Sequence, residues 1–171
     1  MHSQAIKMLY AEHQVILERI EDLRQLLKRS NLAAKKEELL GYVDFFRTYA
    51  DKYHHHKEED VLFSLLKDRF PGLSSLAEAL EEHHTMFRET IAGIEDALRA
   101  EDFEKAGADF LRYLSDLTDH ISAEDDELFV AVDSELTGAE REKLYYAFLD
   151  KDRELGEETK KKYENQPRPT F

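Results

Sequence analysis

The 171-residue sequence contains no cysteine and no tryptophan, and it has only six glycines and three prolines. The absence of cysteine excludes disulfides, thiolate catalysis, zinc fingers and iron–sulfur clusters, so any metal must be held by histidine and carboxylate side chains. A basic stripe is also missing. The formal net charge is −14 at pH 7, which argues against nucleic acid and against an anionic membrane surface as partners. A chain this acidic attracts cations.

Long hydrophobic runs are absent as well. The N-terminal stretch MHSQAIKMLYAEHQ lacks the apolar core of a signal peptide, and no segment approaches the length of a membrane span. We therefore expect a cytoplasmic protein without a membrane partner. The composition, 42% hydrophobic and 36% charged residues, suits a globular domain with a real hydrophobic core, and it leaves the oligomeric state open.

Apolar residues recur at helical spacing along almost the whole chain, which predicts an all-α fold. The pattern predicts helices over residues 3–28, 33–67, 75–100, 102–132 and 138–162. Residues typical of helix starts are Asn31 and the capping boxes Ser75–Glu78 and Thr137–Glu140. Four long helices with short connections predict an up-down-up-down four-helix bundle over residues 1–132. An additional C-terminal helix is expected to pack on it as an extension over 133–163, followed by a flexible tail over 164–171.

Two stretches of the sequence repeat one pattern of histidine and acidic residues. YHHHKEEDVLF (53–63) and DHISAEDDELF (119–129) align without a gap, with matches at His54/His120, Glu58/Glu124, Asp60/Asp126, Leu62/Leu128 and Phe63/Phe129. Residues four apart lie on one face of a helix, so each His-x-x-x-Glu pair continues the apolar stripe of its own helix. The repeat predicts that both pairs face the interior of the bundle.

The other two bundle helices also carry histidines at stripe positions. His13 lies within the stripe of the first helix, and the spacing in the third helix leaves open whether His83 or His84 faces inward. Burying imidazoles and carboxylates without partners costs several kcal/mol per group, and bound cations remove that cost. The candidate metal ligands are therefore His13, His54, Glu58, His83, His84, His120 and Glu124.

These donors indicate which metals would fit. Imidazole and carboxylate suit iron, manganese or zinc, and carboxylates can bridge two ions. Four nitrogens and two bridging carboxylates leave each ion short of six ligands, so water or another small ligand has room to bind. The fourth helix offers Asp125 as well as Glu124, and we favour Glu124 because a step of four residues from His120 stays closer to the starting face than a step of five.

Further polar residues near these positions have other predicted roles. His55 and His56, with their acidic neighbours at +4, step off the buried face and are predicted to be a solvated charge run. Glu59 and Asp125 are candidates for orienting ligand histidines through hydrogen bonds. Four tyrosines at about the same level of the bundle are predicted to be core packing residues: Tyr10, Tyr49, Tyr53 and Tyr113.

The motifs together resemble the hemerythrin-like (HHE cation-binding) family over about residues 5–132. That family carries a His in its first helix, His-x-x-x-Glu in the second, Glu-His in the third and His-x-x-x-Glu or His-x-x-x-x-Asp in the fourth. The matching stretches here are AEHQVILERI, HHHKEEDVLF, LEEHHTMF and HISAEDDELF. LTGAEREKLYYAFLDKDRELGEE is similar to the C-terminal extension of one bacterial branch.

The resemblance implies a non-haem di-iron centre of two iron ions, with an oxo bridge as one form of the pair and manganese or zinc as alternatives. Members of the family bind oxygen, sense oxygen or iron, or respond to nitrosative and oxidative stress. The His-x-x-x-His of oxygen carriers is missing from the third helix, where Phe87 and Arg88 stand four residues after His83 and His84, which argues against reversible oxygen carriage.

We therefore expect a protein that binds or senses oxygen, nitric oxide, peroxide or iron itself at the metal site, rather than a committed enzyme. A ferritin-like di-iron oxidase or peroxidase is one alternative. That class needs Glu-x-x-His twice, and the sequence has this spacing once with Glu, at Glu81–His84. A zinc-bound or metal-free helical interaction module is the other alternative.

Overall fold

The computed structural model describes residues 2–29 and 31–170, and the described part of the chain forms six helices and no strand. Four of them are single α-helices: α1 (Gln4–Arg29), α3 (Pro71–Arg99), α5 (Gly138–Leu155) and α6 (Glu157–Glu164). The other two are long composite helices with π-helical turns inside them. Helix α2 runs through Lys36–Phe45, Phe46–His55, Glu58–Phe63 and Ser64–Arg69, and α4 through Phe103–Ala123, Glu124–Leu128 and Phe129–Glu135.

Helices α1 to α4 form the bundle, and the predicted all-α fold is confirmed. Short connections force consecutive helices to run antiparallel. A 3-10 turn, Leu32–Lys35, joins α1 to α2. The backbone N–H of Ser3 donates to both carboxylate oxygens of Asp133 at 3.2 and 3.1 Å, which fastens the start of α1 beside the end of α4.

Two of the three predicted helix starts are confirmed. Asn31 caps the 3-10 turn by accepting from the N–H of Ala33, and Thr137 forms a capping box with Glu140 at the start of α5. The predicted start at Ser75 is wrong, because α3 already begins at Pro71. Proline suits the first position of a helix, since its φ is already helical and the N–H it lacks would have had no partner there.

The predicted single helix over 138–162 is instead two helices, which meet at Gly156. Gly156 has φ +101°, a conformation that favours glycine, so the chain turns there and α6 folds back on α5. The Tyr53 hydroxyl lies 2.8 Å from each of the carbonyl oxygens of Leu155 and Gly156 and donates to this turn.

The C-terminal tail makes contacts with α1 in the described part of the chain. The Arg168 guanidinium bonds to the Asp22 carboxylate at 2.7 Å, and the carbonyl of Gln166 accepts from Arg19. The predicted flexibility of residues 164–171 stays a prediction, and its last residue, Phe171, lies outside the described residues, as does Met1 at the start of the bundle.

The hydrophobic core of the bundle has two apolar parts with a polar layer between them. One part contains Ile16, Leu23, Phe110 and Leu117, and the other contains Leu9, Leu62, Phe63, Leu128 and Phe129. His13 lies on α1 between the two parts and is only 1% exposed. The same layer contains the buried His54, Glu58, His84, His120 and Glu124. Among the helices of the described residues, none combines the length and the apolar character that a membrane crossing requires.

Candidate metal centre

The polar layer lies at π-helical turns of α2 and α4. In α2 the π-helical segments Phe46–His55 and Glu58–Phe63 contain the His-x-x-x-Glu pair, and in α4 the segment Glu124–Leu128 begins at the glutamate. A π-helical turn bonds each N–H one residue further back than an α-helix, so the turn is wider, and such turns are frequent at functional sites. The wider turns present more side chains to the interior per turn.

Four histidines, one from each bundle helix, bring their Nε2 atoms together in two pairs. The Nε2 atoms of His13 and His54 lie 2.7 Å apart, and those of His84 and His120 lie 3.0 Å apart. All four side chains are almost completely removed from water. Imidazole nitrogens are common ligands of iron, manganese and zinc, so each pair offers half of a metal coordination shell.

The two glutamates lie between the histidine pairs. Glu58 places Oε1 3.4 Å from His54 Nε2 and Oε2 3.5 Å from His84 Nε2. Glu124 places Oε2 3.3 Å from His13 Nε2 and Oε1 3.2 Å from His120 Nε2. Each carboxylate therefore has one oxygen beside each histidine pair, which is the arrangement of a carboxylate that can bridge two ions.

Both carboxylates are fully buried, and within the described residues none of their four oxygens has a hydrogen-bond partner. Burying such groups without partners is costly, and buried charges are normally paired or bound to metal. The atoms fall into two overlapping sets in which the ligand atoms all lie within 4.8 Å of one another: His13, His54, Glu58 and Glu124, and Glu58, His84, His120 and Glu124. These donors fit two cations that share both glutamates.

The charges in this layer shift the pKa values of its groups in opposite directions. Burial, together with the charge of Glu124, raises the pKa of Glu58 well above its usual value. Burial alone would raise the pKa of Glu124 too, but the charge of His120 and the close approach of the His120 and His13 rings outweigh it and lower that pKa. The carboxylates repel each other, and the imidazoles favour the ionised form of Glu124.

The pKa values of the histidines are also shifted in opposite directions. Burial would lower the pKa of His13, but its hydrogen bond to Asp125 and the adjacent carboxylate of Glu124 raise it to about 9. Burial and the nearby charge of His13 lower the pKa of His54 to about 3, and burial and His55 lower that of His84. His54 and His84 are therefore already neutral at pH 7, the form that coordinates metal, whereas His13 has to lose a proton first.

Each of these four histidines also has a partner at its Nδ1 atom, and each partner is the sequence neighbour of another candidate ligand. Glu12 lies 2.8 Å from His54 Nδ1, Asp125 lies 2.7 Å from His13 Nδ1, and Glu59 lies 2.8 Å from His84 Nδ1. The Nδ1 of His120 lies 3.3 Å from that of His83. Partners of this kind fix the tautomer and orientation of a ligand histidine.

The structure shows which of the two alternative residues faces inward in the third helix and which does so in the fourth. In the third helix His84 points into the layer and is fully buried, whereas His83 lies at its edge, partly exposed, against His120. In the fourth helix Glu124 points inward, and Asp125 bonds His13 from outside the layer. Glu59 and Asp125 have the orienting position that was expected of them, and Glu12 has the same position although its sequence pattern did not indicate it.

The prediction that His55 belongs to a solvated charge run is wrong. It is 2% exposed, and its ring stacks on that of His84 with the ring centroids 3.9 Å apart. The prediction assumed α-helical geometry, whereas the π-helical turn keeps the residue after His54 on the inner side. Burial lowers the pKa of His55 to about 4, despite its hydrogen bond to Asp51. His56, by contrast, has a side chain that is 43% exposed, in agreement with the expectation.

A small cavity of about 60 Å³ lies beside His55. Its lining includes His55, Asp51, Phe87, Arg88 and Tyr113. Phe87 packs edge-on against both His120 and Tyr113, so one shell of side chains separates the cavity from the polar layer. Its volume suits water or a molecule of a few atoms.

The tyrosines named from the sequence lie away from the ligand atoms. Tyr10 donates to the backbone oxygen of Asp125 at 2.8 Å, Tyr49 donates to Glu164 at 2.9 Å, and Tyr53 bonds the turn at Gly156. Tyr113 is buried between the rings of Phe46 and Phe87. Packing and structural hydrogen bonds therefore account for all four.

A buried charge network joins the layer to the C-terminal helices, and sequence reasoning missed it. The ammonium group of Lys57 is fully buried and contacts Glu12 at 2.5 Å and Asp152 at 2.7 Å. Lys160 of α6 contacts the same two carboxylates, each at 2.6 Å. Lysine is almost never buried without a partner, but a lysine inside a run such as HHHKEED looks like any surface charge.

Comparison with known protein families gave a match. The family described as Hemerythrin, the hemerythrin HHE cation binding domain, matches residues 4–132, which is most of the chain and all four bundle helices up to the end of the histidine and glutamate layer. Neither the curated proteins nor the solved structures contain a match to this chain.

Proposed function

The chain belongs to the hemerythrin family of HHE cation-binding domains, and from this we propose that it is a di-iron protein that binds or senses a small ligand such as dioxygen, peroxide or nitric oxide. Cation binding, typically of iron, is what the family implies. The observation that carries the step to two ions is the set of four buried, unpartnered oxygens of Glu58 and Glu124, each carboxylate with one oxygen beside each histidine pair.

In this proposal His13 and His54 hold one ion, His84 and His120 hold the other, and Glu58 and Glu124 are shared. Each ion then has two imidazoles and two carboxylate oxygens, which leaves room for further ligands on a metal that prefers six. When bound, an iron pair supplies these open coordination positions and one-electron redox chemistry. Manganese and zinc fit the same donors. Iron is the first choice because the family match is added to the chemistry of the donors.

The protein contributes the environment of the ions. Both apolar core parts exclude water from the layer, and Glu12, Asp125 and Glu59 hold three of the four ligand imidazoles by their Nδ1 atoms. The cavity beside His55 has the volume for a small ligand such as dioxygen, peroxide or nitric oxide.

The experiment that tests the proposal is elemental analysis of the purified protein after anaerobic loading with ferrous iron. We expect about two iron ions per chain, because two overlapping ligand sets share the glutamates. The visible spectrum should then change when oxygen or peroxide oxidises the bound ferrous iron, and again when azide is added to the oxidised, ferric protein. A colourless protein that retains no iron after loading would contradict the proposal and favour a zinc-bound or metal-free module.

One observation weighs against the ferritin-like alternative. That class would use Glu81 together with His84, but the carboxylate of Glu81 lies at the surface and pairs with Lys67. Only His84 of that motif reaches the layer. Rapid, repeated oxidation of ferrous iron by the protein would nevertheless make it an oxidase.

Metal affinity is expected to increase with pH between about pH 6 and pH 9. Below its pKa of about 9, His13 carries a proton in the metal-free protein, and a metal ion must displace it. Each displaced proton lowers the apparent binding constant about tenfold per pH unit as the pH falls. Glu58, whose pKa is also raised, adds to the slope wherever it is protonated. Competition with a chelator of known protonation constants measures the slope, and a flat affinity over this range would contradict ligation by a His13 that must first lose a proton.

A further inference from the structure

We propose that the C-terminal helices hold His54, and with it the ion beside His54, in position through the buried charge network, with Lys160 as a positioning residue. The inference rests on the proposed function, because it concerns ions bound at that centre. It adds a role for α5 and α6, which lie outside the residues that match the family.

The link between the network and the centre is Glu12. Its carboxylate is 2% exposed and uses both oxygens: Oε2 lies 2.8 Å from His54 Nδ1, and Oε1 accepts from Lys57 and Lys160 at 2.5 and 2.6 Å. The burial of Glu12 would raise its pKa, but Lys57 and His54 more than offset this and lower it. An ionised Glu12 accepts from the Nδ1–H of His54 and so leaves Nε2 as the atom that faces the metal.

The network is balanced in charge, and each of its four members comes from a different helix. Glu12 of α1 and Asp152 of α5 are the anions, and Lys57 of α2 and Lys160 of α6 are the cations. All four are less than 10% exposed. Removing one member of a buried ion pair leaves its partner charged and unpaired, so the remaining groups must rearrange.

The backbone turn at Gly156 places Lys160 beside Glu12 and Asp152. Its positive φ reverses the chain after α5, and Tyr53, the residue before His54, donates to the turn. Lys160 and the metal ligand His54 are therefore joined by two routes, one through Glu12 and one through Tyr53.

The other three ligand histidines do not depend on this network. Asp125, Glu59 and His83, which contact their Nδ1 atoms, lie on α4, α2 and α3, and their hydrogen bonds and ion pairs within the described chain go to bundle residues. A change at Lys160 should thus affect the ion beside His54 much more than the ion beside His84 and His120.

The test compares Lys160→Ala with Lys161→Ala in the full-length chain. Lys161 is the neighbouring lysine of the same helix, its side chain is 60% exposed, and it pairs with Glu158 at the surface. Anaerobic titration with Co²⁺, followed by its visible absorption, counts the ions and gives the affinity of each binding step. For Lys160→Ala we expect one step to weaken by about 10–100-fold, the usual effect of losing a partner that supports a ligand, and the other to stay unchanged. Lys161→Ala should bind both ions as the wild type does, and Lys160→Arg should restore most of the lost affinity.

The outcomes separate this inference from the proposed function. Two unchanged steps in Lys160→Ala would overturn the inference and leave the proposed function standing. Equal weakening of both steps would also overturn it, because a purely structural role affects the whole bundle. A wild-type protein that binds no Co²⁺ and no Fe²⁺ would overturn the proposed function and this inference with it.

A second variant covers the case in which Lys160→Ala does not fold. Lys160→Met with Asp152→Asn removes one cation and one anion, so the remaining pair of Glu12 and Lys57 stays balanced. This double variant should fold and still lose affinity in one step only, because Glu12 has lost the contact that ties it to α6. If this variant binds both ions with the affinities of the wild type, the proposed role of Lys160 is wrong.

Discussion

Replacing Glu58 with Gln is expected to abolish the binding of both ions, while the metal-free protein stays folded. Glu58 has one oxygen beside each histidine pair, so a neutral amide at this position removes a shared anionic ligand from both ions. In the metal-free protein the same change removes a buried carboxyl whose oxygens have no partner among the described residues and which faces the charge of Glu124. The free energy of unfolding of the metal-free variant should therefore be equal to that of the wild type or higher, by about 1–3 kcal/mol.

The raised pKa of Glu58 explains why the Gln variant should be at least as stable as the wild type in the metal-free state. Since this pKa is raised above that of the unfolded chain, the folded protein binds the proton more tightly, and its stability falls as the pH rises above the unfolded value. At pH 7 this penalty is present in the wild type and absent in the Gln variant. Chemical denaturation of both proteins after metal removal, at pH 7 and at pH 4, measures the difference, which should shrink at the lower pH.

Glu81→Gln is the matched control for this prediction. It is the same substitution on a neighbouring bundle helix, at a surface carboxylate that pairs with Lys67. Elemental analysis should find full metal content in Glu81→Gln and almost none in Glu58→Gln. Full metal content in Glu58→Gln would show that the glutamate is not a ligand, and loss of metal in Glu81→Gln would support the ferritin-like alternative.

Metal removal is expected to lower the thermal stability of the wild type by a large amount. Anything that binds only the folded state stabilises it, by about 4 kcal/mol per ion at a free concentration 1,000 times the dissociation constant. For a chain of this size 1 kcal/mol corresponds to roughly 2–4 °C in melting temperature, so two ions should raise it by roughly 20 °C. The physical source is the neutralisation of the two buried carboxylates and the pairing of their four oxygens.

The measurement compares the melting temperature of the iron-loaded protein, kept anaerobic, with that of the protein stripped by a chelator. Glu58→Gln should melt at the same temperature with and without iron, which separates binding at the centre from weak binding to the acidic surface. Equal melting temperatures of loaded and stripped wild type would mean that the layer does not need cations to be stable.

Part of this centre is predictable because it depends on local helix geometry. His54 with Glu58, and His120 with Glu124, are i, i+4 pairs on amphipathic helices, so the apolar stripe alone indicates that they face inward. The structure brings all four into one layer, together with His13 and His84. That these residues hold metal stays a prediction, which the experiments above test.

Other features depend on details that the pattern does not contain. The choice between His83 and His84 depends on the rotation of α3 against its neighbours, and the burial of His55 depends on a π-helical turn that replaces the α-helical spacing. The expected single C-terminal helix is interrupted at Gly156, which the helical period of the apolar residues does not register.

The sequence by itself therefore determined the all-α class, the approximate boundaries of α1, α2 and α4 and the inward face of the two His-x-x-x-Glu pairs, because each of these follows from interactions within one helix. Only the tertiary structure decided which groups support the centre. Glu12, Lys57, Asp152 and Lys160 come from four different helices and look like ordinary surface charges in the sequence. They become a network only because packing of α5 and α6 on the bundle removes them from water, where each charge requires a partner.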